Sequence, residues 1–245
     1  MNHLCGICRK NPAETREHIN KRTDLKTAFS EVTFSAKDKD RLIKTTSDGK
    51  KILIQGLGSN ELKYEENLCP ECQTKRSQSW DKSYAKLISF INTNYLQIRK
   101  QEFINLKIVY GKNVKIYQQN LFKYLAKAFI CAIDSAKKDN PNANIEIPKI
   151  LFDIVDNISY GQDFFITLSI NEELFQHQNK SRLKSFVGSS DLDQWTEKNT
   201  NNFELLWFQN IGWLWIGYWY RLKKIKGVNA WNGKSKRIEI SNWFR

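Results

Sequence analysis

The chain has 245 residues, 40% of them hydrophobic, enough for a sizeable core in one large domain or two small ones. Its formal charge is +13, which favours acidic partners, nucleic acid or an anionic membrane surface. The first ten residues, MNHLCGICRK, contain no apolar run of the secretory type. The most apolar stretch, Leu205 to Tyr220, is too short and too interrupted by Gln209 and Asn210 to span a bilayer, so a cytoplasmic protein without a membrane partner is expected.

In chain order, residues 1–80 hold four of the five cysteines and many turn-forming residues. Leu42 to Thr46 and Lys51 to Gln55 flank Asp48-Gly49 and predict a β-hairpin. Tyr84, Leu87, Ile88, Ile91, Tyr95 and Ile98 recur at three and four, so a helix is expected from near Cys72 into the nineties. Beyond residue 100, KIVYG (107–111) and VKIYQ (114–118) read as short strands. LFKYLAKAFICAI (121–133) reads as an amphipathic helix with Phe122, Leu125, Ala126, Phe129 and Ile133 on one side. Residues 137–144 read as a loop, and EIPKILFDIVDNI as a helix with Pro148 in its first turn. FFITLSI (164–170) and the Trp-rich segment read as buried strands. The expected fold class is therefore α+β, with an N-terminal unit over 1–99 and a C-terminal α+β unit with a Trp-rich sheet over 100–245. Residues 221–245 carry eight basic and one acidic side chain, with Trp231, Trp243 and Phe244 among them. Such a tail suits phosphate contact and base stacking, or a basic outer strand whose aromatics pack on the core.

Cys5-Gly-Ile-Cys8 and Cys69-Pro-Glu-Cys72 form a CxxC…CxxC pattern. Two such knuckles supply the four soft ligands that a tetrahedral zinc ion takes, and four thiolates leave no open position, so the site is structural. In a reducing compartment, metal ligation outweighs disulfide pairing for such cysteines. Cys131 falls on the apolar side of its helix and is expected in the core. His3 could stand near the zinc cluster, but four cysteines already fill that site, and His177 is expected in a surface loop.

Between the knuckles lie Glu17 and His18. Phosphodiester hydrolysis needs a base for water and positive charge near the leaving oxygen. A neutral imidazole suits the first role, and a carboxylate holding a hard divalent ion suits the second. Adjacent strand residues point to opposite faces, so the pair can serve one site only at a strand end or bulge.

The order CxxC, Glu17-His18-Ile19, hairpin, LCPEC and polar helix resembles the HNH endonucleases of the ββα-metal class that carry a structural zinc. IQGLGSNELKYEENLCPECQTKRSQSWD, up to Asp81, is similar to the second half of such proteins, and the resemblance covers about residues 5–90. It implies an N-terminal zinc-stapled ββα-metal domain that cuts DNA using Mg²⁺ or Mn²⁺, in a setting such as restriction or phage defence. It implies His18 as general base, Asn67 as the residue that orients it, and Glu17 as a ligand to the catalytic ion. The last ligand position falls on Gln73, where the family has His or Asn; Asp81, two turns further along the helix, is the candidate to compensate or else a surface charge. Lys21, Arg22, Lys75 and Arg76 flank this centre as phosphate contacts or as ordinary solvated charges. Two other readings stay open: a non-catalytic zinc-containing nucleic-acid-binding module, and an RNA-cleaving toxin using the same site. A partner protein or a homodimer is also open.

Overall fold

The structure is a computed structural model. It describes residues 3–29, 43–46, 49–142, 144–157, 160, 162–177, 187–196, 203–221 and 229–241.

Helix α1 spans Arg22–Ala28, and strands β1 (Ile43–Thr45) and β2 (Lys51–Leu53) pair antiparallel with Lys44 opposite Ile52. This is the expected hairpin; Leu42 and Asp48 lie outside the described residues. Gly49 takes φ +81, a value that glycine adopts without the Cβ clash other residues would meet. A π-helical turn, Cys72–Arg76, leads into α2 (Gln78–Thr93), and α3 (Tyr95–Gln101) follows after a break at Asn94. Leu87, Ile88 and Ile91 of α2 and Ile98 of α3 are buried, as their spacing predicts.

Strand β3 (Phe103–Asn105) precedes α4 (Leu106–Tyr110) and α5 (Val114–Asp139). The strands expected at Lys107–Gly111 and Val114–Gln118 are therefore helical. The Asn105 side chain caps the N–H of Lys107 at 3.0 Å, and Leu106, Val109, Tyr110, Val114 and Gln118 are buried at helical spacing. A five-residue window with three β-branched or aromatic residues satisfies both periods, and burial on one side decides for the helix. Helix α5 has 26 residues, roughly 39 Å at helical rise, and crosses the whole core.

Helix α6 (Lys149–Val155) begins after Pro148, which sits at the cap position rather than inside the first turn. Strand β4 (Phe164–Ile170) is followed by α7 (Glu172–His177), so His177 ends a short helix instead of lying in a loop. The remaining strands are β5 (Val187–Ser189), β6 (Asp193–Thr196), β7 (Phe203–Ile211), β8 (Leu214–Tyr220) and β9 (Arg237–Ser241). The large sheet has the order β3-β9-β4-β8-β7-β5, with β6 also on β7; β4 and β9 run parallel and the other pairs are antiparallel.

All seven residues of β4 are buried, so both sheet faces are covered there. On the helical side, Phe164 packs against Phe122 and Phe129 of α5, and Tyr218 of β8 lies 6.0 Å from Phe129. On the other side, Phe165, Leu206 and Trp219 form a smaller cluster. There the Trp219 indole donates to Thr167 Oγ1 at 2.9 Å. That bond passes over Gly217, where a Cβ would collide with the Thr167 hydroxyl. The Trp-rich segment is thus a buried strand pair with aromatics on both faces.

The main core runs without interruption from Cys5 to Ile240. The expected boundary at residue 99 falls inside α3, and side chains of the two expected units meet across it. Tyr84 of α2 stacks on Tyr124 of α5 at 4.0 Å, and the Tyr110 hydroxyl of α4 donates to the Ser83 carbonyl at 2.8 Å. A small second core of Leu25, Phe29 and Ile54 joins α1 to the hairpin region, with Val187 of β5 packed on it. Among the described residues, no helix is long and apolar enough to cross a membrane.

Candidate functional site

The first knuckle turns tightly, with the Arg9 N–H donating to the Cys5 carbonyl at 2.8 Å and Arg9 at φ +53. Gly6 donates to the Asn67 carbonyl at 2.8 Å, which draws the first knuckle onto the residues just before the second. A Cβ on Gly6 would stand 3.3 Å from that carbonyl oxygen, so the approach is close. The second knuckle opens the π-helical turn, with the Gln73 N–H on the Cys69 carbonyl. As a result the sulfurs of Cys5, Cys8, Cys69 and Cys72 all lie within 4.8 Å of one another. A tetrahedron with Zn–S bonds near 2.3 Å requires sulfurs about 3.8 Å apart; Cys8 and Cys69 are at 3.9 Å.

The four thiols differ in their surroundings. Burial works to raise the Cys8 thiol, but the backbone N–H groups of Asn11 and Lys10 outweigh it and bring it to about 7. Burial, with the Cys5 thiol beside it, pushes Cys72 up instead. Four thiolates crowded here need a cation among them, and the cluster can hold a zinc ion. His3 is engaged elsewhere, with Nε2 3.1 Å from Asp134 Oδ2. Cys131 is buried in the core, as expected.

Glu17 and His18 lie in an extended stretch that pairs irregularly with residues 62–68. Thr15 stands opposite Leu68 and His18 opposite Lys63, so three steps on one side match five on the other. The surplus residues form a bulge that includes Glu65 and Glu66. His18 Nε2 donates to the Leu57 carbonyl at 3.2 Å, and since a carbonyl only accepts, the neutral ring carries its proton on Nε2. Nδ1 then holds the lone pair. Burial depresses the His18 pKa, with the Leu57 contact and the Glu17 charge only partly opposing it, so the ring is neutral at neutral pH.

The Glu17 carboxylate belongs to a different set of contacts. Its Oε1 lies 3.5 Å from Nζ of Lys127, a residue of α5 that is 1% exposed. The same ammonium is 3.2 Å from Asp81 Oδ1, and Lys21 Nζ is 3.1 Å from that oxygen. Ser77 Oγ is 2.9 Å from Asp81 Oδ2, and Lys21 also donates to the Asp81 carbonyl. Burial favours a neutral Lys127, yet the carboxylates of Glu17 and Asp81 hold its pKa above the ordinary value. Burial likewise opposes the charge on Asp81, and Lys127 and Lys21 overcome it, so that carboxyl titrates below its usual range. Beside this network Asp24 is 1% exposed, with Oδ2 lacking a hydrogen-bond partner among the described residues. Burial pushes it up to about 7, and the nearby Tyr84 hydroxyl and Lys21 offset this only in part.

The other expected residues have definite places. Asn67 is buried and its Oδ1 accepts from the Glu17 N–H at 3.2 Å; it fixes the backbone at Glu17 and does not bond the His18 ring. Gln73 turns its amide so that Nε2 donates to the Arg16 carbonyl at 3.0 Å. Arg22 and Lys75 are exposed. Arg76 pairs with Asp156 at the end of α6. Lys21 is half-buried in the network, with its ammonium 5.1 Å from the Tyr124 ring.

Zinc and a catalytic divalent ion fare differently against these donors. The sulfur cluster fits zinc. Glu17, Gln73 and Asp81 as they stand do not fit Mg²⁺ or Mn²⁺: two carboxylates face two ammonium groups, which leaves no net negative charge to attract a second cation, and Gln73 can add only a neutral amide oxygen. Sequence reasoning missed Lys127. Its signal was a charged residue three positions after Tyr124 and four before Cys131, inside the apolar run of α5.

Comparison with protein-family models, with curated proteins and with solved structures finds no match to this chain.

Proposed function

We propose that the chain is a zinc-stapled nuclease of the HNH type, in which the hairpin and the helix after it form a ββα unit that presents His18 to a phosphodiester of DNA. The observation that supports this most is the state of His18: a half-buried imidazole, neutral at neutral pH, with Nε2–H held by the Leu57 carbonyl and Nδ1 left as the acceptor. In this reading Nδ1 takes a proton from water, the oxygen attacks phosphorus, and the bond to the leaving sugar oxygen breaks, with a proton returned to it from solvent. Glu17 shapes the site through its backbone, which Asn67 anchors. The exposed Arg22 and Lys75 and the overall charge of +13 would draw the DNA backbone to it.

A second reading, a non-catalytic zinc-containing nucleic-acid-binding module, is favoured by one observation: Glu17 and Asp81 are already taken up by lysines. Supercoiled plasmid and a structured RNA, each incubated with the protein with and without Mg²⁺ or Mn²⁺, separate the possibilities. Nicking of DNA that vanishes in His18→Ala is the expected result. DNA binding with no cutting of either substrate would establish the module instead, and cleavage confined to RNA would establish the toxin.

A further inference from the structure

Lys127 is a charged side chain that the hydrolytic scheme above does not use, and it is almost wholly buried. Burying an ammonium is costly unless its charge and its hydrogens are matched. Here they are matched by Glu17 Oε1 at 3.5 Å, by Asp81 Oδ1 at 3.2 Å and by the face of the Tyr124 ring at 5.2 Å. One oxygen comes from Glu17, which the HNH resemblance assigns to a catalytic divalent ion, and the other from Asp81, the candidate to compensate for Gln73, whereas the amine comes from α5, far along the chain. We propose that the Lys127 ammonium is the resident cation of the Glu17–Asp81 site, standing where a divalent ion would otherwise be held.

Three features carry this. The charge balance is already closed, since Lys21 completes the pair at Asp81. A divalent ion added among these groups would leave an excess of positive charge in a largely enclosed space. Lys127 also cannot swing aside easily. It sits on a helix whose neighbouring Tyr124, Ala126 and Cys131 are buried, so its stem is packed on all sides. Finally, the amide of the third expected ligand, Gln73, is held in one orientation by the bond from its Nε2 to the Arg16 carbonyl and can offer only a neutral oxygen. The positive charge at this position is therefore a fixed part of the fold, delivered by α5. Lys127 acts as a positioning residue: it holds the carboxylate of Glu17 and so the backbone that carries His18.

This role rests on the reading of Glu17 and His18 as one site, but its test reads metal binding and needs no cleavage. The zinc-loaded 245-residue chain is titrated with Mn²⁺, with free Mn²⁺ followed by electron paramagnetic resonance. The wild type, Lys127→Met, Lys127→Arg and the Glu17→Gln form of each are compared. The wild type should show no Mn²⁺ site that depends on Glu17. Lys127→Met should gain one Mn²⁺ per chain, at least about tenfold tighter than any wild-type binding, lost again when Glu17→Gln is added. Lys127→Arg, which keeps the charge, should stay closed to Mn²⁺. A Glu17-dependent Mn²⁺ site in the wild type would overturn the proposal, and so would a folded Lys127→Met that gains none. Should Lys127→Met not fold, the wild-type and Glu17→Gln titrations decide alone. If cleavage is never observed, the nuclease reading fails while the titration still stands. If His18-dependent cleavage is observed together with a wild-type Mn²⁺ site at Glu17, only the resident-cation role falls.

Discussion

Gln209, near the end of β7, donates its side-chain amide to Asn20 Oδ1 at 2.7 Å and to the Ile19 carbonyl at 3.0 Å. Its own carbonyl accepts from the Tyr218 hydroxyl at 2.9 Å. The large sheet thus grips the chain one and two residues after His18, through a side chain that is 1% exposed.

Replacing Gln209 by Leu should take a partner from three polar groups, of which Asn20 and Tyr218 are buried. The expected loss is about 1–3 kcal/mol, read as a fall in melting temperature of roughly 2–4 °C per kcal/mol for a chain of this size. If the nuclease reading holds, cleavage should fall as well, because the backbone next to His18 loses its anchor. A Gln209→Leu protein as stable as the wild type would show that the contact carries no weight.

The sulfur cluster predicts one zinc per chain. Removing it with a strong chelator, or introducing Cys69→Ser, should unfold the knuckles together with the Glu17–His18 stretch, since structural zinc contributes on the order of 10 kcal/mol of apparent binding energy. Cys131→Ala is the control, because that thiol lies outside the cluster and zinc content should not change. Elemental analysis beside circular dichroism checks both. Zinc-free protein with an unaltered spectrum would contradict the stapling role.

His18 gives the proposed reaction its pH dependence. The folded ring titrates below 6.5, so the base is available throughout the neutral range. Cleavage should rise with pH and level off, with its midpoint below 6.5. His18→Ala should lower the rate about 10²–10⁴-fold. A profile still climbing steeply above neutrality, or full activity in the alanine variant, would remove His18 from the role of base.

Asp24 should make stability depend on pH in the opposite sense to an ordinary surface carboxylate. Its pKa is raised from 3.8 to about 7 on folding. Below 3.8 both states are protonated and the contribution to stability is full. Between 3.8 and about 7 the unfolded chain ionises first, and stability is lost as pH rises through the folded value. Asp24→Asn, which cannot ionise, should therefore be more stable than the wild type at pH ~8, by about 2–4 kcal/mol, and no more stable at pH ~4. Denaturant melts at the two pH values test this, and an equal effect at both would refute it.

Much of the architecture follows from local pattern. The two CxxC knuckles, the hairpin around Gly49, the apolar stripe of α5 and the strand pair of β7 and β8 all arise from spacing over a few residues, and spacing is visible in one dimension. The α+β class follows from them. The short segments at Lys107–Gly111 and Val114–Gln118 do not follow in this way, because five residues with mixed periodicity become helix or strand according to which side the core covers.

The site divides along the same line. By itself the amino-acid order determined which thiols can meet around zinc, and it put Glu17 and His18 between them. Only the tertiary structure decided that Lys127 enters between Glu17 and Asp81, that Gln209 grips Asn20, and that Asn67 holds backbone rather than the imidazole. These contacts join residues 46 to 189 positions apart. Their geometry is set by the packing of α5 and the sheet against the knuckles, and a buried charge or amide takes whichever partner that packing brings within reach.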